Sequence, residues 1–224
     1  MQTKEDLIQE IINSGYLKSP RIIGAFFAID RKDFVVSECQ DEAYSNIPLF
    51  IGFGQTISQP LTVAFMLELL QPQKGEKILD IGSGSGWTSA LLAHLVSNGE
   101  LKSNGKVIAM ERIQELKEFG ENNVSKYNFI KRGIVEFICG DGSKGYPNIS
   151  SRPELAEGFD KILCSATVRE IPQAWLEQLK IGGKLVTPFY EEVQLWIKKS
   201  RDQFEKQHFK GFSFVPLVTN NGNE

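Results

Sequence analysis

The chain has 224 residues, 41% of them hydrophobic and 24% charged, with a formal net charge of −3. That is enough for one well-cored domain and short for two, and the charge lacks the basic footprint of a nucleic-acid binder. Three cysteines, Cys39, Cys139 and Cys164, without C-x-x-C spacing suggest neither a disulfide framework nor a zinc site; Cys139 and Cys164 read as small buried hydrophobes in strand-like runs.

At the N-terminus, residues 1–6 lack the apolar core of a signal peptide, and no run approaches bilayer-spanning length, so a reducing cytoplasm is expected. Residues 5–13 and 19–29 read as helices, the second with Ser19-Pro20 as cap and first-turn proline. Residues 41–60, with Pro48, Gly52, Gly54 and Pro60, read as a loop, and 61–70 as a strongly apolar helix ended by Pro72 and Gly75. From about residue 75 the pattern alternates. Apolar runs at 77–81, 107–110, 135–138, 161–164 and 184–188 suit buried strands, and 88–96, 114–127 and 174–179 suit the helices between them. Two last runs, 193–198 and 212–218, read as an antiparallel pair closing the sheet edge. This predicts one α/β domain over 1–224, a doubly wound, mainly parallel seven-stranded sheet behind extra N-terminal helices and a loop. The basic stretches Lys198-Lys199 and 206–210, interleaved with Asp202 and Glu205, read as solvated surface. Residues 97–105 and 143–158 read as surface loops.

The richest segment is Ile78-Leu-Asp-Ile-Gly-Ser-Gly-Ser-Gly-Trp87. A strand ends at Asp80, and Gly82, Ser83, Gly84 and Gly86 form a loop whose backbone can approach a ligand closely before a helix begins. The dinucleotide pattern G-x-G-x-x-G is spoiled by Trp87 at its last position. A nucleophile elbow needs serine where Gly84 stands, and no G-K-[ST] follows for a P-loop. The spacing G-x-G-x-G behind an acid suits a ligand without phosphate, and Asp80 can favour the cationic part of S-adenosylmethionine. Glu111 ends the next strand, placed to accept ribose hydroxyls, and Asp141 ends the third, placed to accept from an adenine amino group. Three acids at the carboxyl ends of successive parallel strands lie where open α/β sheets bind ligands. His94 and His208 read as packed or surface histidines.

The segment Ile51-Gly-Phe-Gly-Gln-Thr-Ile-Ser-Gln-Pro60 closely resembles the G-x-G-Q-T-I-S-Q-P loop of the protein-L-isoaspartate O-methyltransferase family. The resemblance spans nearly the whole chain, through Asp30-Arg-Lys-Asp-Phe-Val35, Ala43-Tyr44, Gly140-Asp-Gly142, Ile171-Pro172, residues 178–186 and Phe214-Val-Pro-Leu217. It implies a Rossmann-like class I methyltransferase sheet with its last two strands exchanged in order. It implies Ser58 as the active-site hydroxyl with Thr56 beside it, and Asp80, Gly82, Ser83, Gly84, Gly86, Glu111, Asp141 and Gly142 around S-adenosylmethionine and its product S-adenosylhomocysteine. It further implies Gln55, Ile57 and Val215 on the substrate side, isoaspartyl-containing proteins as substrates, a monomer, and no metal, nucleic-acid or membrane partner. The chain departs from the family at Val36, Asn46, Phe50 and Ser165-Ala166-Thr167, mostly around the substrate.

A site without a histidine base fits a carboxylate acceptor. The main-chain carboxylate of an isoaspartyl residue, with a pKa of about 3.5, is already ionised at neutral pH, and the sulfonium donor is already activated. Two methyl-transfer alternatives share parts of the pattern. One is esterification of ordinary aspartate in a dedicated biosynthetic peptide. The other is methylation of a nucleic acid, against which Cys164-Ser-Ala-Thr-Val-Arg169 stands in place of [DNS]-P-P-[YFW]. A non-catalytic nucleoside-binding module is a third alternative, disfavoured by retention of Thr56-Ile-Ser58.

Overall fold

A computed structural model describes residues 2–97, 105–147, 149, 155–219 and 222–223. Helix α1 (Lys4–Asn13) begins with a reciprocal capping box between Thr3 and Asp6 and buries Leu7, Ile8 and Ile11. Helix α2 (Pro20–Ala28) starts on its proline, but Ser19 gives no side-chain cap. Its hydroxyl instead donates to Glu68 at 2.6 Å, and the same carboxylate accepts the Lys18 and Ser19 amides. The stretch read as a loop contains an antiparallel hairpin, β1 (Leu49–Gly52) and β2 (Gln55–Ile57), turned through Gly52, Phe53 and Gly54 at φ of 97°, 55° and 70°. Its alternation buries Leu49, Ile51 and Ile57 and leaves Phe50 and Thr56, cross-strand partners, on the other face. Helix α3 (Pro60–Leu70) follows and is buried over most of its surface.

The doubly wound part comprises β3 (Lys77–Ile81), α4 (Trp87–Ser97), β4 (Lys106–Glu111), α5 (Gln114–Ser125), β5 (Val135–Cys139), β6 (Phe159–Cys164), α6 (Gln173–Gln178) and β7 (Leu179–Phe189). It ends in β8 (Glu192–Lys198), β9 (Phe204–Lys210) and the short pair β10 (Val218–Thr219) and β11 (Gly222–Asn223). The seven-stranded sheet has the order β5-β4-β3-β6-β7-β8-β9, parallel as far as β7 and antiparallel beyond. Because β8 lies between β7 and β9, the final strands follow chain order, the exchange that the family resemblance implies.

Alternate residues feed two cores. Ile78, Val107, Ala109 and Leu163 pack with the N-terminal helices, α3, α4 and α5. Leu79, Ile81, Ile108, Met110, Ile162 and Cys164 pack on the other face with Trp175 and Leu179. Burial on both faces makes these strands continuous apolar runs.

Two further expectations are corrected. The last sheet strand is the polar stretch 204–210, not 212–218. An edge strand with a solvated face needs no apolar run, and β9 is mostly exposed. The apolar 212–218 segment instead lies against the exit of β6, where the Thr167 amide donates to Val215 O and the Leu217 amide to Thr167 O, both at 2.9 Å. Cys164 is buried, but Cys139 is exposed, because it ends an edge strand. Residues 98–104, 148 and 150–154 of the two expected surface loops lie outside the described residues. The described part of the second is anchored by buried Tyr146 and Leu155. Among the described residues no helix is long and apolar enough to cross a membrane.

Candidate active site

The glycine loop is fixed by its neighbours. The amides of Gly82 and Ser83 both donate to Met110 O at 2.9 and 3.1 Å, and the Gly86 amide closes the turn on Ser83 O at 2.8 Å. From α5, Asn123 donates to Ser85 O at 3.1 Å. The glycines are required by space as well as by φ. A Cβ on Gly86, at φ +85°, would stand 2.8 Å from Gly120 O, and one on Gly142 would stand 2.5 Å from Ile81 Cγ2.

Glu111 is almost wholly buried and holds the loop from β4. Its Oε2 accepts the Gly84 amide at 2.9 Å, and its Oε1 accepts the Arg112 and Ile113 amides at 2.8 and 3.0 Å. A carboxylate offers about four lone-pair sites, so Oε2 keeps one for a ligand hydroxyl. Beside it the buried Ser83 hydroxyl lines the cleft and has no partner among the described residues. Buried polar groups are rarely left so; a ligand with hydrogen-bonding groups suits this position.

Asp80 is placed differently from expectation. It faces α4 rather than the cleft, wholly buried, with Ser89 donating to Oδ2 at 2.6 Å and Oδ1 unpartnered. Two residues beyond Ile78, it shares that residue's face of β3. Burial raises its pKa to about 7 from 3.8, against the lowering by Ser89 and with a smaller raising contribution from Glu111. The folded state therefore binds a proton that the unfolded chain has released. The stability owed to this group is present below about pH 4 and lost as pH rises to about 7. Asp80→Asn is expected to remove that slope, so its Tm relative to wild type rises between pH 5 and pH 7.5. An unchanged difference between the two melting curves would refute this.

Asp141 caps the short turn after β5, its Oδ1 accepting from the Ser143 amide at 3.0 Å and hydroxyl at 2.6 Å. It does not itself line the cleft; Gly140 and Gly142 on either side do.

The substrate-side loop is organised by Arg31, which the motif Asp30-Arg-Lys-Asp-Phe-Val35 contains but does not explain. This side chain, 2% exposed, donates to the carbonyls of Ala43, Ser45, Ile47 and Ser58 at 2.9–3.2 Å. Its guanidinium also lies 5.4 Å over the Trp87 ring, within cation–π range. Burial lowers its pKa to about 9 from 12.5, so it stays cationic at neutral pH. It ties the hairpin loop to the residue that follows the glycine loop. Asn46 ties the same loop to its surroundings, donating to Glu10 and accepting the Leu61 amide.

The cleft brings together Gln55, Thr56, Ile57 and Ser58 of the hairpin loop with Gly82, Ser83, Gly84, Glu111, Gly142 and Val215. Asp80, Gly86 and Asp141 support it from behind. Ile51, Trp87, Ile113, Ser165 and Pro216 also line it. Ser58 and Thr56 do not cap α3, whose N-cap is Gln59, and their hydroxyls have no hydrogen bond among the described residues. A second cleft shares Thr56, Ser58, Ser165, Val215 and Pro216 with the first. His94, on α4, and His208, paired with Glu192 at 2.8 Å on β9, line neither. No group of three or more His, Cys, Asp or Glu among the described residues could hold a metal.

A doubly wound sheet with a phosphate-free glycine loop and a strand-end acid at its carboxyl edge defines a Rossmann-like methyltransferase. The family model for protein-L-isoaspartate(D-aspartate) O-methyltransferase matches residues 2–222. The chain belongs to that family. It is 40% identical to the protein-L-isoaspartate O-methyltransferase of Methanopyrus kandleri, over 99% of this chain and 93% of the relative. It is 39% identical to that of Aeropyrum pernix, over 96% and 79%. Among solved structures it superposes with a TM-score of 0.85 and 25% identity on a Plasmodium falciparum protein described as a putative protein-L-isoaspartate O-methyltransferase, in complex with S-adenosyl-L-homocysteine. That match covers 98% of this chain and 100% of the other.

Proposed function

We propose that the protein transfers the methyl group of S-adenosylmethionine to the free α-carboxylate of L-isoaspartyl residues, and of D-aspartyl residues, in damaged proteins, opening their repair through ester and succinimide. It acts as a single-domain monomer in the cytoplasm, without nucleic acid or membrane. The observation that supports this reading is the meeting of two clefts at Thr56, Ser58 and Ser165, one lined by the glycine loop and Glu111 and the other by Tyr16, Phe212 and Phe214.

The residues present fit the cofactor. The unpartnered Ser83 hydroxyl and the spare lone pair of Glu111 would hold its hydroxyls, the close-packed glycine loop would admit its backbone-hugging part, and Gly140 and Gly142 would border its base. S-adenosylmethionine supplies, when bound, a methyl group already activated by a cationic sulfur. The chain's residues are left with alignment and exclusion of water, which can contribute several powers of ten. The Ser58 hydroxyl donates to one carboxylate oxygen of the acceptor, with Thr56 beside it, and leaves the other oxygen to attack.

Ser58→Ala should therefore lower kcat by about 10- to 100-fold, the worth of one hydrogen bond to a charged group, with cofactor affinity changed less than twofold. Loss of cofactor binding in calorimetry, with normal turnover at saturating cofactor, would assign Ser58 elsewhere. The reading as a whole is tested by methanol release from paired isoaspartyl and aspartyl peptides. Turnover of the isoaspartyl member is expected; turnover of the aspartyl member alone would overturn it.

A further inference from the structure

The second cleft is built from segments far apart in the chain, and among the described residues none between 81 and 113 lines it. Its floor is aromatic. Phe65 of α3 stacks on Phe212 at 4.8 Å between ring centres and 8° between planes, and meets Tyr16 edge-on at 5.6 Å and 73°. Both Tyr16 and Phe212 line the cleft, with Leu61 and Phe214. Such rings present large apolar area at fixed positions, and Tyr16 is still 38% exposed.

The charge on the walls is one-sided. Among the described residues Lys210 is the only charged one lining the cleft, and no carboxylate does. Its register partner across the sheet edge is Glu192, whose carboxylate already takes the His208 ring and the Gln194 amide. Lys210 forms no close ion pair among the described residues, although its charge reaches Glu192 and helps the Gln194 amide and the His208 ring to hold that carboxyl below its usual pKa.

We propose that this cleft is the subsite for the polypeptide flanking the methyl acceptor, selecting an aromatic or large aliphatic neighbour and, through Lys210, an acidic over a basic one. The proposal rests on the isoaspartyl reading and deepens it. An extended substrate whose carboxylate sits at Thr56 and Ser58 must lead its flanking residues along a continuous surface, and the cleft shares those two residues. Apolar burial there strengthens binding and so acts on KM more than on kcat.

The test uses the full-length protein and four isoaspartyl hexapeptides identical except that both neighbours of the isoaspartate are Gly, Phe, Glu or Lys. Expected kcat/KM favours Phe over Gly by about tenfold, a difference of about 1.4 kcal/mol. It favours Glu over Lys by about three- to fivefold, the range of an exposed ion pair. Lys210→Glu should reverse the Glu-to-Lys order. Equal kcat/KM for the four peptides within twofold, or a Lys210→Glu change that is proportional for all of them, would overturn the subsite. If no isoaspartyl peptide is methylated while S-adenosylhomocysteine still binds, the underlying function is wrong.

Discussion

An Arg31→Met protein is expected to melt about 6–12 °C below wild type and to lose most of its methyl transfer. The expectation follows from what the guanidinium touches. Four carbonyls, those of Ala43, Ser45, Ile47 and Ser58, converge on it from a segment with little regular structure. Methionine fills a similar volume and keeps the Trp87 contact apolar, but it offers no donor. Breaking such a buried polar cluster costs about 3 kcal/mol or more, and each kcal/mol lowers Tm by about 2–4 °C in a chain of this size. Activity suffers separately, because the Ser58 carbonyl is one of the four anchors. Arg31→Lys should rescue neither property well, since a lysine ammonium is a point donor without the planar fork. Thermal melts and single-turnover methylation check both parts. A methionine variant within about 2 °C of wild type with full turnover would remove Arg31 from the account.

Gly120→Ala is expected to destabilise the protein by about 1–3 kcal/mol, the usual cost of overpacking, and to weaken S-adenosylhomocysteine binding by about tenfold or more. Helix propensity alone predicts the opposite, a gain of about 1 kcal/mol for replacing glycine inside α5. Packing decides the sign. An alanine Cβ would stand 2.6 Å from Gly84 O, 3.0 Å from the Phe137 ring and 3.2 Å from the Gly86 amide. The first and last belong to the loop that faces the cofactor, so relief of the clash must move that loop. Asn123, one turn further along α5, holds Ser85 O and resists the movement. Calorimetry with S-adenosylhomocysteine and a thermal melt decide the matter. A more stable variant with unchanged affinity would show that α5 can retreat from the loop at no cost.

Much of this architecture is legible in the sequence because it rests on local patterns. Strands β3 to β7 are apolar where both faces are covered, and the glycine spacing with Glu111 and the Thr56-Ile-Ser58 segment mark two sides of the cleft. What escapes is set by neighbours distant in sequence. Asp80 reads as a cofactor acid because of its position at a strand end. Its counterpart Ser89 lies inside a helix, and only the alternation from Ile78 hints that the carboxylate turns that way. Arg31 sits between Asp30 and Asp33 in a stretch that reads as solvated charge, and its partners are backbone carbonyls that carry no sequence signal. The polar β9 and the exposed Cys139 escape for one reason: edge strands have one free side, and apolar pattern reports only what is covered. Gly120 looks like a weak point in a helix until α5 is packed against the glycine loop.

The floor of the second cleft joins Tyr16, near one end of the chain, to Phe212, near the other, through Phe65. Closing so long a loop costs entropy before any contact repays it, and the cofactor loop asks for nothing comparable, since Gly84 meets Glu111 over only 27 residues. The glycine loop can form from such partners, but Val215, Pro216, Leu217 and Val218 also line its cleft, so both halves of the site wait for the last segment to return. Hold on the methyl donor and hold on the polypeptide are thus both coupled to the integrity of the last segment, because that segment walls both clefts.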